Sequence, residues 1–150
     1  MADLLVEQNN GIATLTFNRP EARNALSIDM RTSLRDVLAE LEHDDETRCI
    51  VMRGAGDHFM AGGDVKRMSE YIERPPAEIR ASVTQRIHDL HPIMFTMRRM
   101  PKPIVACVAG AAAGAGVSMA LACDLVIAAD SAFFTLAYVH IGTSPDGSAS

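Results

Sequence analysis

Apolar and polar positions alternate first along this chain, then recur in steps of three and four. Leu4 to Glu7 and Ile12 to Phe17 flank Gln8-Asn9-Asn10-Gly11. This spacing predicts a β-hairpin in which Ile12, Leu15 and Phe17 supply apolar bulk, Thr14 and Thr16 alternate with them, and Asn10-Gly11 makes a tight turn. The period then changes. Ser27 is placed to accept from the first free amides of a helix, Asp29 sits in its first turn, and Leu34, Val37, Leu38 and Leu41 follow at helical spacing to an end near His43. Cys49 to Met52 reads as a short buried strand closed by Gly54-Ala55-Gly56-Asp57. From Glu78 to Met100 the residues Val83, Ile87, Leu90, Met94 and Met97 step by four and three, which predicts a long helix. Pro92 within it predicts a kink or break at His91. Ile104 to Val108 reads as a strand, Gly114 to Ala122 as a short helix and Leu125 to Ala128 as a strand, with Phe133-Phe134 beginning another. Strands alternating with helices predict an α/β architecture with crossovers.

Composition narrows the class. At 150 residues with 48% hydrophobic and 22% charged side chains, the chain reads as one globular domain over residues 1–150, large enough to close a core without metal or disulfide. Its formal charge of −5, with no run of Lys or Arg, argues against a nucleic acid or an anionic membrane as partner. Cys49, Cys107 and Cys123 lie in or beside apolar stretches without C-x-x-C spacing and read as buried, reduced thiols. The N-terminus has no basic stretch leading into an apolar one, so a cytoplasmic location is expected. Ile104 to Cys123 carries no charge and contains Gly110-x-x-x-Gly114, but Ala and Gly dominate it. It reads as a closely packed segment rather than a membrane span.

Chemistry is sought in two glycine-rich turns. Gly62-Gly63-Asp64 follows Phe59-Met60-Ala61, and Gly114-Ala115-Gly116 stands between a strand and a helix. Such turns let a ligand approach the backbone, and a helix start directs free N–H groups outward; they also serve as plain tight turns. Met119 stands where a dinucleotide fingerprint requires its third glycine, and no phosphate-binding lysine motif is present. His88-x-x-His91 suggests a metal pair but has no third ligand near it, so no metal is expected.

Four motifs in order resemble the crotonase family of enoyl-CoA hydratases and isomerases. They are Asn18-Arg19-Pro20-Glu21-Ala22-Arg23-Asn24-Ala25-Leu26, Phe59-x-Ala61-Gly62-Gly63-Asp64, Pro103-Ile104-Val105-Ala106-x-Val108-x-Gly110, and Gly114-x-Gly116-x-Ser118 with Ala122-Cys123-Asp124. The resemblance implies a crotonase-like spiral of β-β-α repeats, here without the C-terminal helical region through which the family assembles as trimers or hexamers. It also implies an acyl-CoA thioester as substrate, with no separate cofactor. The Gly63 and Ala115 amides would form an oxyanion hole, and CoA would lie along Ala61 and Leu26 with Arg23 near its phosphates.

The resemblance also points to a departure. The two glutamates between which a hydratase holds water fall on Ser118 and Tyr138, neither an acid. Asp146 is the remaining carboxylate. Pro145-Asp146-Gly147 alone is a turn signal, but isomerases of the ring-epoxide and Δ3,Δ2-enoyl type carry an acid there, and 4-chlorobenzoyl-CoA dehalogenases a nucleophilic Asp. The expected activity is therefore double-bond isomerisation with Gly63, Ala115 and Asp146 catalytic, in fatty acid or aromatic acid metabolism. The alternatives are a dehalogenase-like hydrolysis assisted by His91 and an aromatic wall at Tyr138, a hydratase, or an inactive acyl-CoA-binding protein. The long helix is expected to wall the acyl pocket.

Overall fold

The computed structural model describes residues 2–66, 73–142, 144, 145 and 147, and the backbone but not the side chain of Ile141. The chain opens with the expected hairpin, β1 (Leu4–Asn9) antiparallel to β2 (Ile12–Phe17). Asn10 and Gly11 both have positive φ, 52° and 81°, the mirror-image turn whose twist matches that of the flanking strands. Within β2 the inward phase is Ala13, Leu15 and Phe17, all fully buried. Ile12, in phase with Thr14, stands 44% exposed. The alternation rule therefore overrides the apolar character of Ile12.

Helix α1 (Ile28–His43) begins where Ser27 Oγ accepts from the Met30 amide at 3.0 Å. It buries Met30, Leu34, Leu38 and Leu41 against the sheet and returns the chain to β3 (Cys49–Gly54), parallel to β2. Lys102 Nζ closes its far end by donating to the Leu41 and Asp44 carbonyls, a cation placed at the negative end of the helix dipole.

The second crossover is α2 (Pro76–Arg99), leading into β4 (Ile104–Val108). The break expected at His91 is absent, because the helix runs unbroken through Pro92. Pro92 faces solvent, while Leu90, Ile93, Met94 and Met97 are buried on either side of it. Burial of Leu90 just before Pro92 and of Ile93, Met94 and Met97 after it outweighs the hydrogen bond that a helical proline forfeits. A third crossover, α3 (Ala115–Ala122), leads to β6 (Leu125–Ala128), giving a sheet of order β1-β2-β3-β4-β6, parallel from β2 onward.

A second, smaller layer follows the same sequence of turns. β5 (Ala111–Ala113) pairs in parallel with β7 (Phe133–Thr135), Met60 bridges to Ala112, and Leu26 bridges to Gly63. Each turn of chain thus visits the main sheet, then this layer, then a helix, which is the expected β-β-α repeat. The core lies between the sheet and the three helices, with Phe17 and Phe59 edge to face at 5.4 Å between ring centres. On the opposite flank β6 is exposed along its whole length, and Leu125, Ile127 and Phe133 are each more than half exposed.

All three cysteines are free thiols, but only Cys123 is buried. Cys49 and Cys107 are half-buried, because they lie on strand positions out of phase with the buried residues Ile50, Ala106 and Val108. Burial, with the neighbouring Asp124 charge, pushes the Cys123 thiol from 9.0 to about 12. The folded protein therefore holds this proton where the unfolded chain releases it, so stability is full below pH 9.0 and falls as pH rises toward about 12. Denaturant titrations across that window should show the decline, and Cys123→Ala should flatten it. An equal slope in Cys123→Ala would show that the thiol is not its source.

Candidate functional site

The site is built from three turns. The first is Arg19 to Leu26, where the chain leaves β2 through a 3₁₀ turn, Pro20–Ala22. Arg23 and Asn24 are both left-handed, with φ 51° and 57°. Such a conformation is tolerated at Asn24 because its buried side chain is fully used: Oδ1 accepts from the Arg19 amide at 2.9 Å, and Nδ2 donates to the Ala55 and His58 carbonyls at 2.9 and 2.7 Å. The Arg23 carbonyl then accepts from the Ala61 amide at 2.9 Å, and the Leu26 amide donates to the Gly62 carbonyl at 2.7 Å. The expected CoA residues Arg23, Leu26 and Ala61 therefore meet along one backbone seam. Leu26 and Ala61 line the cleft, whereas the Arg23 side chain is exposed.

Gly62-Gly63 is the second turn. Gly62 has φ 90°, and a Cβ there would lie 2.8 Å from the Ala113 carbonyl oxygen and 3.4 Å from the Ala115 nitrogen. Only glycine allows so close an approach. Arg19 holds this turn from outside, with Nη1 3.1 Å from Asp64 Oδ2 and 2.8 Å from the Ala25 carbonyl. Asp64 is thus a loop-shaping carboxylate, and Arg19 is its partner, which reasoning from sequence passed over.

Gly114-Ala115, at the start of α3, is the third. Gly114, at φ 50° and ψ −119°, donates to the Thr135 carbonyl at 2.9 Å, while its own carbonyl accepts from Val117 and Ser118 at 2.9 and 3.3 Å. The amides at the head of the helix with no carbonyl one turn earlier to accept them are those of Ala115 and Gly116. Gly116 packs so closely that a Cβ would fall 2.2 Å from the Met60 carbonyl oxygen. Gly63 and Ala115 are thereby brought to neighbouring turns of one wall.

These turns border a cleft of about 450 Å³. Val83, Ile87 and Leu90 of α2 form an apolar wall, joined by Leu136, Tyr138, Ser144 and Pro145. Tyr138 is buried and presents its Cζ 3.9 Å from the Cβ position of Gly114, following Ala137, which is left-handed at φ 52°. Arg31 of α1 and Arg86 of α2 also line the cleft. His91 is not among the described lining residues; its ring stands edge-on to Phe95 at 6.2 Å. Ser118 is buried, with its Cβ and Oγ 3.0 and 3.1 Å from the Cβ position of Gly147. Asp146 lies outside the described residues, between Pro145 and Gly147 in the chain. Among the described residues no three His, Cys, Asp or Glu side chains group as a metal site, and no helix is long and apolar enough to cross a membrane.

The fold and cleft together define a class of α/β proteins in which successive β-β-α turns stack their glycine-rich connections into one wall of a cleft. Comparison with known proteins names the family. The enoyl-CoA hydratase/isomerase family profile matches residues 7–150. The 1,2-epoxyphenylacetyl-CoA isomerase of Escherichia coli (strain K12) is 38% identical over 146 residues, covering 97% of this chain and 55% of that protein. The 4-chlorobenzoyl coenzyme A dehalogenase-2 of Arthrobacter sp is 36% identical over 145 residues, covering 97% of this chain and 51% of its own. The crystal structure of an enoyl-CoA hydratase from Polaromonas sp. JS666 superposes with a TM-score of 0.87 at 40% identity, covering 96% of this chain and 55% of the other. The chain belongs to the enoyl-CoA hydratase/isomerase, or crotonase, family, and spans about half the length of the curated relatives it matches.

Proposed function

We propose that this chain belongs to an acyl-CoA enzyme that moves a carbon–carbon double bond along the acyl group through an enolate. The carrying observation is the approach of the Gly62-Gly63 turn to the head of α3, where a Gly62 Cβ would lie 3.4 Å from the Ala115 nitrogen. The Gly63 and Ala115 amides, aimed at one thioester oxygen, would take the charge that moves onto it when an α-proton leaves. Donors held in place by the fold need no reorganisation as that charge develops. CoA would lie along Leu26 and Ala61, with Arg23 at the rim near its phosphates, and the acyl group would enter between Tyr138 and α2.

Asp146 is assigned the proton transfers. Its carboxylate removes the α-proton of a 3-enoyl thioester, the electrons spread to the carbonyl oxygen as a dienolate, and the acid so formed returns the proton at the γ-carbon. One carboxylate suffices. Ser118 and Tyr138, at the positions where a hydratase carries its two glutamates, favour isomerisation over hydration. Among the relatives the names divide between isomerases, dehalogenases and hydratases. The dehalogenase-like alternative retains Tyr138 as its aromatic wall, but the His91 it requires as base stands off the described cleft lining.

The test is to offer 3-enoyl-CoA thioesters in deuterated water and follow the products by mass spectrometry. Expected are the 2-enoyl isomer, with deuterium at its γ-carbon where the acid exchanges its proton with solvent, and deuterium at the α-carbon of the recovered 3-enoyl thioester. With 2-enoyl-CoA offered instead, a product heavier by one water and no turnover of the 3-enoyl thioesters would select the hydratase reading, and chloride released from 4-chlorobenzoyl-CoA the dehalogenase one. Neither exchange nor conversion with any thioester would refute the proposal.

A further inference from the structure

Three arginines among the described residues are buried or half-buried: Arg19, Arg31 and Arg86. Two are committed. Arg19 is held by Asp64, and Arg31 Nη2 is 3.3 Å from Asp89 Oδ2. Arg86 has no hydrogen bond or ion pair among the described residues, although it is half-buried and lines the cleft on the same face of α2 as Val83 and Leu90. Asp89, one helical turn away, has both oxygens occupied, Oδ1 by Gln85 at 2.8 Å and Oδ2 by Arg31. The described lining holds two guanidinium groups and no carboxylate, in a chain of net charge −5.

We infer that Arg86 reads an anionic oxygen at the far end of the acyl group, so that the cleft selects acyl chains ending in a carboxylate. The inference rests on the acyl-CoA reading of the cleft. An acyl chain that fills the cleft strips water from Arg86, and a guanidinium dehydrated without a new acceptor is penalised. A terminal carboxylate restores the lost bonds and matches the planar fork of the guanidinium with two parallel ones. Val83, Ile87 and Leu90 beside it accept the methylene chain leading there. A plain methyl-ended chain would meet the apolar wall equally well but leave the charge uncompensated.

Equilibrium titration of the full-length protein with hexanoyl-CoA and adipoyl-CoA, and with octanoyl-CoA and suberoyl-CoA, separates the terms without requiring turnover. The wild-type protein should bind the carboxyl-ended member of at least one pair about 10- to 100-fold more tightly. Arg86→Gln should bring that ratio to about one, and Arg86→Lys should keep part of it. Equal affinity within both pairs in the wild type overturns the inference. So does a loss in Arg86→Gln shared by both members and by free CoA, which would place the guanidinium on the CoA phosphates. Failure of isomerisation with the binding ratio intact would instead count against the proposed reaction alone.

Discussion

Asp146→Asn should lower α-hydrogen exchange and double-bond migration by about 10²- to 10⁴-fold, the usual contribution of a positioned acid or base. The amide keeps the size of the side chain and removes its capacity to take a proton. Affinity for a saturated acyl-CoA should change little, because the seam at Leu26 and Ala61 proposed for CoA and the apolar face of α2 proposed for the acyl group are built from other elements. Two observations locate its chain neighbours: Pro145 lines the cleft, and Gly147 packs against Ser118 and Leu90. Exchange undiminished in Asp146→Asn would remove this residue from the mechanism and leave the two amides without a proton acceptor.

Gly62→Ala should be nearly as damaging for a different reason. The new Cβ would meet the Ala113 carbonyl oxygen at 2.8 Å, at a φ of 90° that L-residues rarely adopt. Neither neighbour is a flexible side chain. Gly62 is pinned by its carbonyl to Leu26, while Ala113 is paired in β5 and bonded through its amide to the Met60 carbonyl. The turn must therefore shift, and it carries the Gly63 amide with it. Loss of one such donor costs about 10²- to 10³-fold in rate. Strain and crowding together should lower stability by about 2–4 kcal/mol, so turnover is to be measured well below the melting temperature and alongside CoA-thioester affinity. A folded Gly62→Ala protein with unaltered turnover would show that the spacing of the two turns is immaterial.

Local chemistry carried much of the architecture. Asn10-Gly11 specifies its turn because both residues accept positive φ, and Ser27 specifies the start of α1 because its hydroxyl caps the Met30 amide. β4 and β6 appear at their expected bounds, since short apolar runs between turn residues leave few choices. What escaped was decided by tertiary contact. The three alanines of β5 carry no periodic signal and become a strand only through pairing with β7. Pro92 was expected to interrupt a helix that packing on both sides holds together.

The site divides along the same line. Gly63 and Ala115 are singled out by the motifs that carry the family resemblance, and the structure places their turns side by side. The same periodicity that predicted α2 as one apolar stripe joins two surroundings, with Leu90, Met94 and Met97 buried and Val83 and Ile87 lining the cleft. Arg31 and Arg86 escaped notice because polar residues within a helical pattern read as solvated until the facing wall is known.

The most direct measurement is a crystal structure of the protein with a bound acyl-CoA thioester. The Gly63 and Ala115 nitrogens should both lie within about 2.7–3.1 Å of the thioester oxygen. A thioester seated in the cleft with that oxygen turned to solvent, or held by side chains instead, would contradict the account.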